Sequence, residues 1–442
     1  MSHSPSNFPP NAPPPGPLAP GHFPAGPIGP ELRRAERAAG LVGAIGLGIC
    51  VVIWLLVGFH YHAFAGQFYR AWLFAWMFWL GVTLGSMAVV MLHHLTGGQW
   101  GLLVRRFSEA GAMVVPVMFI LGIPFLVGMR DLYPWADPSN HDAVVQHKRA
   151  IFFPAFFLAR YCAYFLIWFT LAFLLRRLSL RHDRLPTEET AHRLRVVSAL
   201  GLVLYVLSMS LASVDWLMSL EPHWYSTVFG FIICAGQSIS GSCIAIVMLA
   251  LLWRTPPFAG RARPNHFNDL GNLLMTCVVM WAYCSFSQLL VTWMGNLQSE
   301  IGWYVQRSSN VWHVLAGLLI FFGFLTPFVL LLMRGIKKQP HYMLLLCCGL
   351  LLMRVLDDYW MVAPSGAWPF PHGNWLNGVA SLAALAGIGG MWVAAFMWLL
   401  AGHPLMPLGQ TVPIETLTSE QVTAETRITE HGEHPGIQPR LA

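Results

Sequence analysis

Apolar residues fall in ten blocks, at about 38–58, 71–92, 111–129, 151–175, 196–216, 224–252, 270–293, 311–333, 342–361 and 378–400. Each is long enough to cross a hydrocarbon layer of roughly 30 Å as a helix rising about 1.5 Å per residue. The pattern predicts an all-α integral membrane protein with ten transmembrane helices. The first block ends near Ala63-Phe64-Ala65, which imitates a signal-peptidase site. Its apolar run is longer than a signal h-region and a long proline-rich stretch precedes it, so it reads as a retained helix. Residues 1–37 read as a disordered Pro-rich tail that cannot bury enough surface to offset its ordering entropy. Residues 403–442 read as a second, polar tail with Glu415, Glu420, Glu425, Glu430 and Glu433 spread through it, which leaves 38–402 as the membrane domain.

Composition agrees. Of the 442 residues 56% are hydrophobic and only 10% charged, against about 25% charged in soluble domains. That balance excludes a soluble globular protein. The formal net charge of +6 does not imply nucleic acid, because the cations lie between the apolar blocks. Their placement instead gives an orientation. The N-terminal Arg33, Arg34 and Arg37, together with the loops around Arg105, Arg176 to Arg195, Arg254 to Arg263 and Arg334 to Lys338, hold seventeen Lys and Arg. The alternate loops hold five: Arg70, Arg130, Lys148, Arg149 and Arg307. Positive charge stays in the cytoplasm, so both termini are expected there and the helix number is expected to be even.

An internal echo suggests a repeat. Block five ends Asp215-Trp216-Leu217-Met218 with Pro222 after it, and block nine ends Asp357-Asp358-Tyr359-Trp360-Met361 with Pro364 after it. Four helices separate the two ends, as in two parallel four-helix bundles, helices 2–5 and 6–9.

Few ionisable residues lie within the blocks, where each costs about 2.5–3.5 kcal/mol on insertion scales and needs a partner or a water-filled cavity. Arg160 is in block four. Asp215 ends block five and is followed by Glu221 and His223, and Glu300 and Arg307 follow block seven. In block nine the i,i+3 and i,i+4 spacings put Asp357 and Asp358 on the Arg354 face. All fall in the outer half of the expected topology. They read either as neutralised pairs that clamp helix packing or as a proton path or quinol-proximal pocket. The cytoplasmic half offers Tyr205, Ser208, Ser210, Gln237, Ser238, Ser240 and Ser242, a composition that suits interhelical hydrogen bonding. Block three has Pro116 and Pro124 and reads as a kinked packing helix. Eight cysteines without C-x-x-C spacing and 18 histidines with no pair at mid-membrane offer no disulfide framework, no iron–sulfur ligands and no haem or metal site in this chain.

Three segments carry a family resemblance: Ser213 to Thr227 (SVDWLMSLEPHWYST), Phe286 to Arg307 with its Trp293-Met294-Gly295-Asn296-Leu297 and Trp303-Tyr304, and Arg354 to Pro364 (RVLDDYWMVAP). Together they resemble ActF, the NrfD-like (polysulfide-reductase-like) membrane subunits of alternative complex III. The resemblance implies two four-helix bundles flanked by two further helices, in a bacterial inner-membrane quinol:electron-acceptor oxidoreductase. It also implies an iron–sulfur protein, c-type cytochromes, a sister NrfD-like subunit and a terminal oxidase as partners, besides membrane lipid. Haem c and iron–sulfur clusters would sit in those partners. The resembled subunit is associated mainly with proton movement, with quinol oxidation assigned to its sister. A free-standing proton-coupled secondary transporter, or the NrfD-like anchor of a molybdenum reductase, are the alternative readings.

Overall fold

The computed structural model describes residues 29–60, 65–365 and 375–406, and among them there is no β-strand. The chain is an all-α membrane protein. Helices α1 (Gly29–His60) and α2 (Ala65–Thr96) precede a broken stretch of α3 (Gln99–Ala112), α4 (Val115–Leu121) and α5 (Ile123–Val127). Two short helices, α6 (Met129–Leu132) and α7 (Ala143–Lys148), lead to the long pair α8 (Pro154–Arg184) and α9 (Glu188–Trp216). Then come α10 (Phe229–Leu252), α11 (Pro264–Gly295), α12 (Gln298–Gln306) and α13 (Asn310–Leu318). A π-helical segment, Leu319–Leu325, joins α13 to α14 (Thr326–Leu332), and α15 (Arg334–Lys337), α16 (Pro340–Val362) and α17 (Trp375–Ala401) complete the order.

Nine helical spans among the described residues are long and apolar enough to cross a membrane. They match the expected blocks except 342–361, which falls in α16. That helix has 23 residues, about 35 Å of rise, but Arg354, Asp357 and Asp358 crowd its last third. Residues 29–37, assigned by composition to the tail, are helical and open α1. The remainder of the first tail and residues 407–442 of the second lie outside the described residues.

Local chemistry sets many of the boundaries. Proline stands in the first turn of α4, α5, α8, α11 and α16, where its missing N–H costs nothing. Thr187 caps α9 and exchanges hydrogen bonds with Thr190, a capping box. Around the breaks at Pro116 and Pro124, aromatic side chains donate to backbone carbonyls, including Met118 O, which also accepts the Gly122 N–H. Trp76 Nε1 donates to Met118 O at 2.8 Å, Trp72 Nε1 to Leu121 O at 2.8 Å, and Tyr161 Oη to Phe119 O at 2.7 Å. In a bilayer no water would do so.

The most enclosed helix is α2, whose Leu73, Ala75, Trp76, Leu80, Val82, Leu84, Met87 and Met91 are fully buried. It packs on α3, α9, α10, α16 and α17, while α10 packs on α2, α9, α11 and α16. At the α2–α10 crossing the backbones meet, since a Cβ at Gly85 would fall on the Gln237 carbonyl and one at Gly241 on the Gly85 backbone. The outer pair α1–α17 is similarly close, with Gly43 and Gly46 against Gly390 and Gly387, as small residues allow in membranes. The ionisable side chains therefore hang on α8, α9 and α16 around a central α2–α10 axis.

Candidate functional site

Two arginine–carboxylate groups, the first with a half-buried arginine and the second wholly buried, stand near corresponding ends of α9 and α16. In the first, Asp215 is one residue from the end of α9 and 5% exposed. Arg160 of α8 grips it with two hydrogen bonds, Nε to Oδ2 at 2.7 Å and Nη2 to Oδ1 at 2.9 Å. Tyr164, one turn beyond Arg160 on the same face, donates to Asp215 Oδ2 at 2.7 Å. The guanidinium also lies over the Phe156 ring, 4.3 Å from its centroid. This pair is neutral and its carboxylate is fully bonded, the condition under which a buried ion pair is tolerated.

In the second group, Arg354 bonds Asp357 and reaches Asp358 Oδ1 at 3.3 Å. All three residues are buried, at 5%, 3% and 6% exposure. Gly236 of α10 makes room for the guanidinium, and Trp281 of α11 lies 6.0 Å from it. A small cavity beside the group is lined by Ile239, Trp281, Leu350 and two residues of the π-helical turn, Leu319 and Gly323. Two carboxylates face one guanidinium here, so the group either binds a proton or leaves a negative charge in the protein interior.

The other expected site residues form the rim beyond the helix ends. Glu221 accepts from Gln306 Nε2 at 3.1 Å, and its charge acts on Arg70 and Arg307. His223 Nε2 lies 2.9 Å from Asp142 Oδ2. The Val144 and Val145 N–H groups, with His223, hold the Asp142 carboxyl below the usual carboxylate range. Glu300 lies in the first turn of α12, which suits a carboxylate, and among the described residues no hydrogen bond or ion pair joins it to either group. Nor does one join Asp215 to Arg354, Asp357 or Asp358, so the single outer region expected from sequence is two sites.

Tyr164 and the buried pairing of Arg105 and Arg106 were not legible in the sequence, and Arg307, a sequence candidate, gave no sign of its partners. Tyr164 completes the Asp215 group. Arg307, 2% exposed, donates to the carbonyls of Trp303 at 2.8 Å, Met361 at 2.8 Å and Trp360 at 3.2 Å, and lies 3.7 Å from the Trp303 ring centroid. It thereby satisfies carbonyls left open where α16 ends, although burial lowers its pKa to about 9. At the opposite end, Arg105 and Arg106 are not loop cations but are buried within α3. Arg105 Nε bonds Glu109 Oε1 at 3.0 Å and its Nη2 bonds Ser179 at 2.6 Å; Arg106 Nη1 bonds Glu109 Oε2 at 2.6 Å, and Arg106 also pairs with Asp183 of α8. The i,i+3 and i,i+4 spacings of Arg106 and Arg105 to Glu109 were the available signal.

The hydroxyls of the expected cytoplasmic half mostly bond their own helix: Ser208 to Leu204 O, Ser238 to Cys234 O and Ser240 to Gly236 O. An exception is Tyr205, whose hydroxyl crosses from α9 to Gln237 Oε1 of α10 at 2.7 Å. Among the described residues no three His, Cys, Asp or Glu side chains converge as a metal ion requires. Compared with known proteins, the chain matches no family model, and no curated protein matches it in sequence.

Proposed function

We propose that the chain is the NrfD-like membrane subunit of a bacterial respiratory quinol:electron-acceptor oxidoreductase of the alternative complex III kind, and that it handles protons while partner subunits carry electrons. In this reading ten helices cross the inner membrane with both termini in the cytoplasm. Helices α2, α3–α5, α8 and α9 form one four-helix bundle, α10, α11, α13–α14 and α16 the other, and α1 and α17 flank them. Quinol is oxidised at the sister subunit, and haem c and iron–sulfur clusters belong to the partners.

The observation that carries the reading is the pair of arginine–carboxylate groups at matching ends of α9 and α16, with a surplus carboxylate in the wholly buried second. A surplus buried charge is expensive in a membrane interior unless it binds and releases a proton. Asp215 and the whole Arg354 group lie within the segments that resemble the family, while Arg160 and Tyr164 of the first group lie outside them. Purification in mild detergent, followed by identification of the co-purifying proteins, tests the proposal. A stable complex with iron–sulfur and c-type haem subunits is the expected result. A catalytically complete homo-oligomer would refute it in favour of a proton-coupled transporter, and a molybdenum-containing partner in favour of a reductase anchor.

A further inference from the structure

A basic cavity of about 360 Å³ opens between the start of α11 and the α14–α16 connection, at the end of the molecule opposite Asp215 and Arg354. Asn265, Asn268 and Asn272 line one wall and Arg334, Lys337 and Lys338 the other, with Leu332 at the edge. Lys337 is only 5% exposed. Its methylenes lie against Gly271, where a Cβ would collide with them, and its Nζ donates to Asn272 Oδ1 at 2.5 Å. Burial and the neighbouring Arg334 both lower its pKa. Among the described residues no carboxylate comes within ion-pair distance of Arg334, Lys337 or Lys338. The Asn268 Oδ1 is buried and accepts no hydrogen bond. Three cations and three amides thus line one space, where the neighbouring carboxylate, Asp269, accepts from Asn268 Nδ2 at 3.5 Å but is outside ion-pair distance of the cations.

The cavity borders a membrane-facing surface. Leu332 is exposed, and so are Val329 and Leu325, which lie three and seven residues before it on one helical face. We infer that this cavity binds the phosphate headgroup of an anionic phospholipid, with its acyl chains along the exposed α14 face. The phosphate oxygens would meet Arg334, Lys337 and Lys338, and a headgroup hydroxyl would donate to Asn268 Oδ1. A free phosphate ion would satisfy the cations but would leave the apolar approach unused. The inference rests only on the chain's crossing a membrane and is independent of its catalytic partners.

The test uses the full chain, delipidated in detergent and titrated with phosphatidylglycerol or phosphatidylcholine, with retained lipid counted by native mass spectrometry. Phosphatidylglycerol should bind in preference to phosphatidylcholine. Arg334→Gln with Lys338→Gln, both at exposed positions, should weaken that binding roughly thirtyfold, the expected effect of losing two cationic side chains at an anionic headgroup. Lys337→Met should weaken it further, and Arg177→Gln with Arg181→Gln, exposed cations on the same end of the molecule, should change it less than about threefold. Equal losses in the two double variants, or none in either, would overturn the inference. So would inorganic phosphate that displaces phosphatidylglycerol at equal concentration, since the ligand would then be a soluble anion.

Discussion

The charge count in the Arg354 group makes an asymmetric prediction. Arg354→Gln leaves Asp357 and Asp358 buried with no cation, and loss of one partner from a buried pair costs about 3–5 kcal/mol. That is about two to three and a half powers of ten in the ratio of assembled to unfolded protein. Asp358→Asn removes the more distant carboxylate, 3.3 Å from the guanidinium, and leaves the Arg354–Asp357 pair neutral. It should stay within about 1 kcal/mol of wild type, and Asp357→Asn should fall between the two because the closer bond is lost. Combining Arg354→Gln, Asp357→Asn and Asp358→Asn removes every charge and should recover most of the loss. Subunit levels in membranes and unfolding in detergent measure the series. Asp358→Asn as damaging as Arg354→Gln would refute the charge argument. The function test uses the variants that assemble: an amide cannot cycle through the protonation states of a carboxylate. If the group moves protons, quinol turnover or its coupled proton release stays impaired in the triple variant. If it only clamps helices, both recover with assembly.

Asp215→Asn strips the charge partner from Arg160 and should lower the subunit level; in the fraction that assembles, the proton reading expects lost coupling, measured by proton release per quinol. With the native cysteines removed, Ser139→Cys should react with an impermeant thiol reagent from outside and Ala259→Cys only from inside; labelling of both from one side would refute the ten-helix topology. Gly85→Leu should prevent assembly, because its side chain would occupy the α10 backbone, whereas Gly349→Ala, which faces open space, should leave detergent stability unchanged. Tyr205→Phe removes the α9–α10 hydrogen bond and should cost about 0.6–2 kcal/mol of stability; a loss of several kcal/mol in detergent unfolding would mean that the pair holds the helices by more than one bond.

The sequence made the spans legible because a run of apolar residues has one stable form in a bilayer. It made the Arg354 group legible for a local reason, since all three side chains share one face of one helix. Asp215 was visible as a candidate, but Arg160 is 55 residues away on another helix, and no spacing rule reports that pairing. Arg105 and Arg106 were misassigned through the same local logic. Residues 99–110 contain Gln99, Arg105, Arg106 and Glu109 and read as a polar loop, yet they fold as α3 because Ser179 and Asp183 of α8 supply the missing partners. The π-helical turn at Leu319–Leu325 left no mark in an otherwise uniform apolar block.

These placements constrain how a proton could use the molecule. The two arginine–carboxylate groups sit near one end of the spans, and the Arg105–Arg106–Glu109–Asp183 cluster sits near the other. Between them most hydroxyls donate to their own helices, and Ser208 also accepts from Trp168 of α8 at 2.8 Å. Tyr205 and Gln237 join α9 to α10 in the middle stretch, and Gln237 follows Gly236, the residue that abuts the Arg354 guanidinium. In the proton reading, the Tyr205–Gln237 bridge is the polar contact on α10 beside the residue that abuts Arg354. An amide and a phenol relay protons poorly without water, so movement through this point requires the small cavity beside Arg354 to admit it. The π-helical turn lines that cavity, and such turns widen a helix where regular hydrogen bonding is broken. In the proton reading, the turn that disturbs the helix is thus the element that borders the cavity beside the group with the surplus carboxylate.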